Sequence, residues 1–311
     1  MNSLVAIVGP TAIGKSSLAL ELSQTFRGEI INADSRQVYR YMDIGTAKPT
    51  TEERALVAHH LIDVVCPDQN FSLALYQSKA REAMEIIQRK GKLALLVGGS
   101  GLYVWSLLEG WRIPPVPPDP ILRQELEAIA QSEGTERLYE ELRQLDPAAA
   151  QRIDPRNTRR VIRALEVCHQ GKPFSQLQGK EPFVDSLVIG LTTDRTDLYR
   201  RIDARVDSMM EKGLLTEVEG LMARGYGFDL PSMSGLGYKQ IGMVLQGKTD
   251  LPAAIQQIKF DTHRFARHQY SWFRPQDKRI HWFDAREEQK QAINRLVQSF
   301  VANQDNGGLE N

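Results

Sequence analysis

The sequence predicts an α/β fold, a doubly wound parallel sheet carrying an inserted helical segment. Three observations point to it. A short apolar run at residues 4–8 leads into a glycine-rich turn and then a helical pattern. A second apolar run at residues 93–97 stops at Gly98 and Gly99, as a central parallel strand does. Between residues 116 and 185 the strand pattern gives way to helical periodicity, and strands resume afterwards.

The elements follow in order. Residues 4–8 read as a buried strand and SSLALELSQTF at 16–26 as the helix after it. EIINADSR at 29–36 reads as a second strand ending near Asp34. Residues 72–89 read as a helix, with Leu75, Ala83, Ile86 and Ile87 on one stripe. Residues 93–97 form the next strand. Strands alternating with helices place ligands at the C-terminal strand ends. IPPVPPDP at 113–120 is a rigid, extended connector. Asp119 and Pro120 then suit a helix start, as cap and first-turn residue. Residues 121–171 read as helical, broken at Gly134 and near Pro147 and Pro155. SLVIGLTTD at 186–194 returns to strand. The expected division is therefore a core at 1–115, a helical insertion at 116–185, and the rest of the core at 186–311. Single helices are expected over 198–223 and 252–273. The tail, VANQDNGGLEN, is expected to fray.

Composition bounds the function. Of 311 residues, 41% are hydrophobic and 25% charged, as in a globular protein. Lys plus Arg and Asp plus Glu both total 39, which excludes a globally basic nucleic-acid coat but leaves room for local patches. Two cysteines, Cys66 and Cys168, exclude a disulfide-dense scaffold and read as incidental thiols. The opening residues carry no basic leader, so no signal peptide is expected. No apolar run approaches the ~20 residues that span a bilayer. A cytoplasmic monomer without a membrane partner is the expectation.

The sharpest motif is Gly9-Pro10-Thr11-Ala12-Ile13-Gly14-Lys15-Ser16, which satisfies GxxxxGK[ST] between a strand and a helix pattern. Glycines let backbone N–H groups converge on oxyanions, and the helix N-terminus adds its positive end. Lys15 supplies a point charge and Ser16 a hydroxyl for Mg²⁺. The motif implies nucleotide-type phosphate binding, ATP included, without specifying the compound or the reaction.

Asp34 and Ser35 stand at the end of the second strand pattern. Asp34 could bind Mg²⁺, act as a general base, or simply cap the strand. Gln37 could pair with an adenine edge. The best apolar strand ends Gly98-Gly99-Ser100-Gly101 with no Asp, which counts against an ordinary ATPase but leaves a small kinase open. Arg201 and Arg205 lie four apart on one helix face. They could grip a diphosphate or pair with Asp197, Asp203 or Asp207. One basic segment carries Arg156, Arg159, Arg160, Arg163 and Lys172. Another carries Lys259, Arg264, Arg267, Arg274, Lys278 and Arg279 among Phe260, Phe265, Tyr270, Trp272 and Phe273. Cations beside aromatics suit RNA phosphates and stacked bases, and equally suit an amphipathic helix with solvated arginines. His59, His60, His263 and His268 lack the partners of a zinc site. A metal here would be Mg²⁺ held partly by substrate phosphates.

These segments also form a series. GPTAIGKS at 9–16, INADSRQVYRYMDIGTAKP at 31–49, HHLIDV at 59–64 and GGSGLY at 98–103 are followed by four more. Those are NTRRVIRALEV at 157–167, RIDARVDSM at 201–209, GLGYKQ at 235–240 and FARHQYSWFR at 265–274. In this order, across nearly the whole chain, the sequence closely resembles the bacterial tRNA dimethylallyltransferase (isopentenyltransferase) family. Ser100 stands where the family commonly has Thr, and His268 where it commonly has Lys or Arg.

The resemblance implies a P-loop kinase-like core whose phosphate loop holds diphosphate, and an insertion that grips the tRNA anticodon stem-loop. It implies transfer of a dimethylallyl group from dimethylallyl diphosphate to N6 of adenosine 37. The tRNAs are those reading codons that begin with U, and diphosphate is released. The adenosine is flipped into a channel that the donor enters from the other side. By the same resemblance Asp34 is the base, Thr11 orients the donor oxygen, and Ser100 is a second donor. Lys15, together with Arg201 or Arg205, is expected to neutralise the leaving group with Mg²⁺ near Ser16. The expected tRNA contacts are Asp34, Ser35, Gln37, Arg159, Arg160, Arg163, Lys259, Arg264 and Arg267. A small-molecule P-loop kinase, or an RNA-binding protein with a structural phosphate loop, would account for fewer of these segments.

Overall fold

The computed structural model describes residues 3–286 and 289–307. The chain forms two compact units, one made of residues up to Leu108 and from Phe183 onward, the other spanning Glu109–Pro182.

The first unit is built on a six-stranded sheet. Its first half supplies β1 (Ser3–Val8), α1 (Lys15–Thr25), β2 (Gly28–Asn32), α2 (Thr51–Leu56), β3 (His59–His60), α3 (Leu73–Arg89), β4 (Leu93–Val97) and α4 (Gly101–Leu108). The second unit follows with β5 (Trp111–Arg112), α5 (Pro120–Ser132), α6 (Thr135–Leu145), α7 (Pro147–Ala150), α8 (Thr158–His169) and β6 (Gly179–Lys180). The chain then returns through β7 (Asp185–Thr192), α9 (Arg195–Glu211), α10 (Leu214–Ala223), α11 (Tyr238–Leu245), α12 (Leu251–Trp272), β8 (Ile280–Asp284) and α13 (Lys290–Gly307).

The sheet order is β3-β2-β4-β1-β7-β8, and every neighbouring pair is parallel. Parallel strands buried on both faces need continuous apolar sequence, and residues 4–8 of β1 are completely buried. After β1 the chain crosses to β2 on one side, and only later does β7 fill the other. The loop after β1 therefore lies at the point where the winding reverses, which is where such sheets bind ligands.

The second unit has its own core of Leu126, Leu138, Leu142, Val161, Ile162, Leu165 and Phe174. Asp119 caps α5 by accepting from Ile121 N and Leu122 N. The buried Asp146 carboxylate accepts from Ala149 N and from the Ser175 backbone and hydroxyl. The unit extends from 109 to 182, where 116–185 was expected. Its edge is the two-residue antiparallel pair β5·β6, outside the proline run that marks the change in composition.

Two other expectations are revised. The single helix over 198–223 is two, α9 and α10, because Gly213 between them takes a left-handed φ of 94°. The tail is helical through Gly307, since Ile293 and Val297, four apart, bury their side chains in the sheet core. The remainder of the expected fraying, 308–311, lies outside the described residues. Among the described residues no helix is long and apolar enough to cross a membrane.

Candidate active site

The turn from β1 into α1 forms the phosphate loop. Gly9 has φ 139°, and a Cβ there would stand 2.4 Å from the Leu191 carbonyl oxygen, so the backbone reaches this path only without a side chain. Lys15 Nζ donates to Pro10 O at 2.6 Å. Arg205, from α9, donates to Thr11 Oγ1 at 3.2 Å. Thr11 N donates to Gln269 Oε1 at 2.8 Å, and Gln269 Nε2 donates to Gly99 O at 3.0 Å. The buried Gln269 side chain thus ties the loop to the end of β4. It went unnoticed in the sequence because it sits between the basic and aromatic residues that give α12 its pattern.

The end of β2 supplies the acid. Asn32 Oδ1 accepts from Asp34 N at 3.1 Å, while Asn32 Nδ2 donates to the Asp34 and Leu61 carbonyls, also at 3.1 Å. This buried amide ends the strand at Asn32 and turns Asp34 out. Asp34 Oδ1 accepts from Arg36 N at 2.8 Å. Ser100 Oγ accepts from Ser35 N at 3.0 Å, so the residue after Gly98-Gly99 braces the same turn.

Two cavities meet here. The smaller, about 70 Å³, is lined by Thr11, Lys15, Ser16, Asp34, Gln37 and Arg205 among others. The larger, about 270 Å³, is lined by Thr11, Asp34, Arg205 and Ser100, with apolar walls from Val206, Met209, Ile258 and Phe265. Thr11, Asp34 and Arg205 belong to both. Burial, then the charge of Arg205, pulls the Lys15 ammonium down to a pKa of about 7, with Asp34 opposing. Burial also lowers Arg205, and Asp34 opposes it. A polar cleft with two crowded cations therefore opens, past one carboxylate, into an apolar chamber. It suits an anion joined to an apolar group.

Residues 37–276 match the family model for IPP transferase. The chain belongs to the IPP transferase family. A tRNA dimethylallyltransferase of Herpetosiphon aurantiacus is 54% identical over 279 residues, 89% of each chain. The crystal structure of the full-length tRNA isopentenylpyrophosphate transferase of Bacillus halodurans is 40% identical and superposes with a TM-score of 0.73, covering 100% of this chain and 99% of that one. A eukaryotic dimethylallyltransferase acting on tRNA, 26% identical, gives a TM-score of 0.81 over 97% of this chain and 80% of that one.

The structure of this IPP transferase sorts the remaining candidates. It brings Arg205 to the loop but not Arg201, whose Nε donates to Asp197 Oδ2 at 2.6 Å. Gln37 lines the smaller cavity while its amide N–H group donates to the Thr46 and Ala47 carbonyls at 3.1 and 3.2 Å. Lys259 pairs with Asp207 at 2.6 Å and Arg267 donates to the Tyr199 hydroxyl at 2.8 Å. Arg264 lines a groove with Phe265, Lys239 and His268. In the second unit Arg159 and Arg160 are exposed at the start of α8. Arg163 pairs with the fully buried Glu166 and donates to Val116 O at 2.6 Å, which ties it to its own unit. Among the described residues no group of three or more His, Cys, Asp or Glu is placed to hold a metal.

Proposed function

We propose that this enzyme transfers the dimethylallyl group of dimethylallyl diphosphate to N6 of adenosine 37 in tRNAs that read codons beginning with U, with release of diphosphate. The observation that carries this reading is the Thr11–Asp34–Arg205 junction, common to the phosphate-loop cleft and the apolar chamber.

The chemistry follows from the junction. The allylic C–O bond breaks with its electron pair on the diphosphate, and N6 supplies the pair for the new C–N bond. Lys15, Arg205 and the N–H groups at the start of α1 stabilise the charge that develops on the leaving oxygen. Thr11 Oγ1 accepts from Arg205, which leaves its own proton free to donate to the donor oxygen. Asp34 accepts a hydrogen bond from the adenine amino group and takes its proton as positive charge builds on nitrogen. Adenine N6 is a very weak acid, so the proton leaves during or after attack.

Mg²⁺ fits this site only in part. Ser16 and Asp34 line the same cleft, and a hydroxyl with one carboxylate suits an ion that takes its other ligands from substrate phosphates and water. Ser16 would hold it, and the ion would add charge neutralisation on the diphosphate. Exposed Arg159 and Arg160 on the second unit serve the backbone of the anticodon stem-loop. Arg264 and Phe265 on α12 suit an RNA phosphate and base. The setting is cytoplasmic and the protein a monomer.

Incubation with dimethylallyl diphosphate and unmodified tRNA, followed by mass analysis of the nucleosides, tests the reading. Dimethylallyladenosine mapped to position 37 is expected. Phosphoryl transfer from ATP to a small acceptor, with no alkylated nucleoside, would favour the kinase instead.

A further inference from the structure

Beside the reaction junction, one carboxylate gathers four hydrogen bonds. Glu217, on α10, accepts from three consecutive backbone N–H groups: Asp43 at 2.9 Å, Ile44 at 2.7 Å and Gly45 at 3.1 Å. It also accepts from the Tyr238 hydroxyl, on α11, at 2.6 Å. Successive N–H groups form a concavity for an anion, and here the anion belongs to the protein itself. Tyr238 is almost fully buried, and a Cβ on Gly45 would stand 2.5 Å from its ring, so the loop lies flat against the phenol. Burial and the adjacent Glu217 push the phenol's pKa far up, which keeps it a donor.

The clasped segment leads to the site. Thr46 and Ala47, next in the chain, line both cavities. Their carbonyls receive the amide N–H group of Gln37. An amide whose N–H₂ is held in this way has its oxygen direction set by the loop. We infer that Glu217 and Tyr238 are positioning residues that orient Gln37 toward the acceptor base through the loop at 43–47. The inference rests on the acceptor being the adenosine proposed above. Thr46 and Ala47 line the phosphate cleft too, but the loop that meets the diphosphate takes its own bracing from Gln269 and Arg205, so release of the clasp should change diphosphate affinity little.

A double-mutant cycle tests this on the intact protein, with inorganic diphosphate as the probe of the donor site. Glu217→Ala should lower kcat/KM for tRNA by about 10- to 100-fold, the usual scale when a positioned group is released. Diphosphate affinity should stay within about threefold. Glu217→Gln, which keeps one acceptor oxygen, should recover part of the loss. Tyr238→Phe, which keeps the ring in its place, should show a smaller loss of the same kind. If Glu217 acts through Gln37, Gln37→Ala combined with Glu217→Ala should be no worse than the more damaging single change. Losses that multiply, or a matching loss of diphosphate affinity, would mean a general structural role and overturn the inference. Full tRNA activity in Glu217→Ala would overturn it alone. A wild-type protein that alkylates no adenosine would remove the functional reading and this inference with it.

Discussion

In the proposed reaction Asp34 is the group that takes the proton from the adenine amino nitrogen. Asp34→Asn keeps its shape and removes the negative acceptor. Single-turnover alkylation should fall roughly 10²–10⁴-fold, the scale of a positioned proton-transfer group, with much smaller changes in substrate binding. If raising Mg²⁺ restored the wild-type rate, metal holding would replace the proton role. Lys15 yields a second prediction, with its sign set by a free-site pKa of about 7. A diphosphate beside the ammonium favours the charged form, so binding above that pH takes up a proton. The wild-type advantage over Lys15→Ala in diphosphate affinity should therefore shrink as pH rises from about 6 to about 9, by up to about tenfold per unit. Calorimetry in buffers of different ionisation enthalpy reads the proton uptake directly, and a flat ratio would refute it. At this scale the glycine-lysine motif was plain in the sequence, because phosphate binding demands particular residue types at a fixed spacing, whereas Asp34 read equally well as a strand cap and was singled out only by the family resemblance. The choice between Arg201 and Arg205 was not. Both share the helix face, and only the Asp197 pairing one turn earlier sets them apart.

Elements explain which charges serve structure. Glu29 on β2 is buried and accepts from Lys92 at 2.8 Å, His60 at 2.8 Å and Lys90 at 3.0 Å, joining three parts of the sheet edge. Burial alone would raise its pKa, but the bonds from Lys92, His60 and Lys90 outweigh it and hold it at about 2. Its folded pKa is depressed, so its stabilisation is full above the ordinary carboxylate pKa and is lost as pH falls toward about 2. Glu29→Ala should cost about 1.5–3 kcal/mol at neutral pH, the scale of a hydrogen bond to a charged group, because the lysines it leaves are partly exposed. The penalty in chemical denaturation should narrow in acid, and a penalty constant with pH would contradict the assignment. Helix α8 shows the same division. Arg159→Ala with Arg160→Ala should weaken tRNA binding and flatten its salt dependence without lowering the melting temperature. Arg163→Ala should lower the melting temperature, because Glu166 is buried against it. Normal tRNA binding by the folded Arg159/Arg160 variant at several salt concentrations would exclude that surface. In the sequence all three arginines look alike; burial of the partner, which separates them, depends on packing between α5 and α8. Similarly, β3 and the β5·β6 pair are too short to show a period, and α13 hides its two anchoring residues in a polar tail.

For the molecule as a whole, the alternation of strands and helices was enough to predict a doubly wound sheet, because a parallel crossover leaves few topologies open. The sheet order was not readable, since it depends on which side of β1 each later strand joins. That order gathers residues 11, 34, 100, 205 and 269 at one junction from distant parts of the chain. In the proposed reaction this junction exchanges one C–O bond for one C–N bond at a single adenosine. Diphosphate release and alkylated adenosine, quantified in the same reaction with wild-type tRNA and with a tRNA carrying guanosine at position 37, test it most directly. Equal amounts of the two products are expected with adenosine at 37, and neither with guanosine. Diphosphate released without matching alkylation, or alkylation that persists when position 37 is changed, would contradict it.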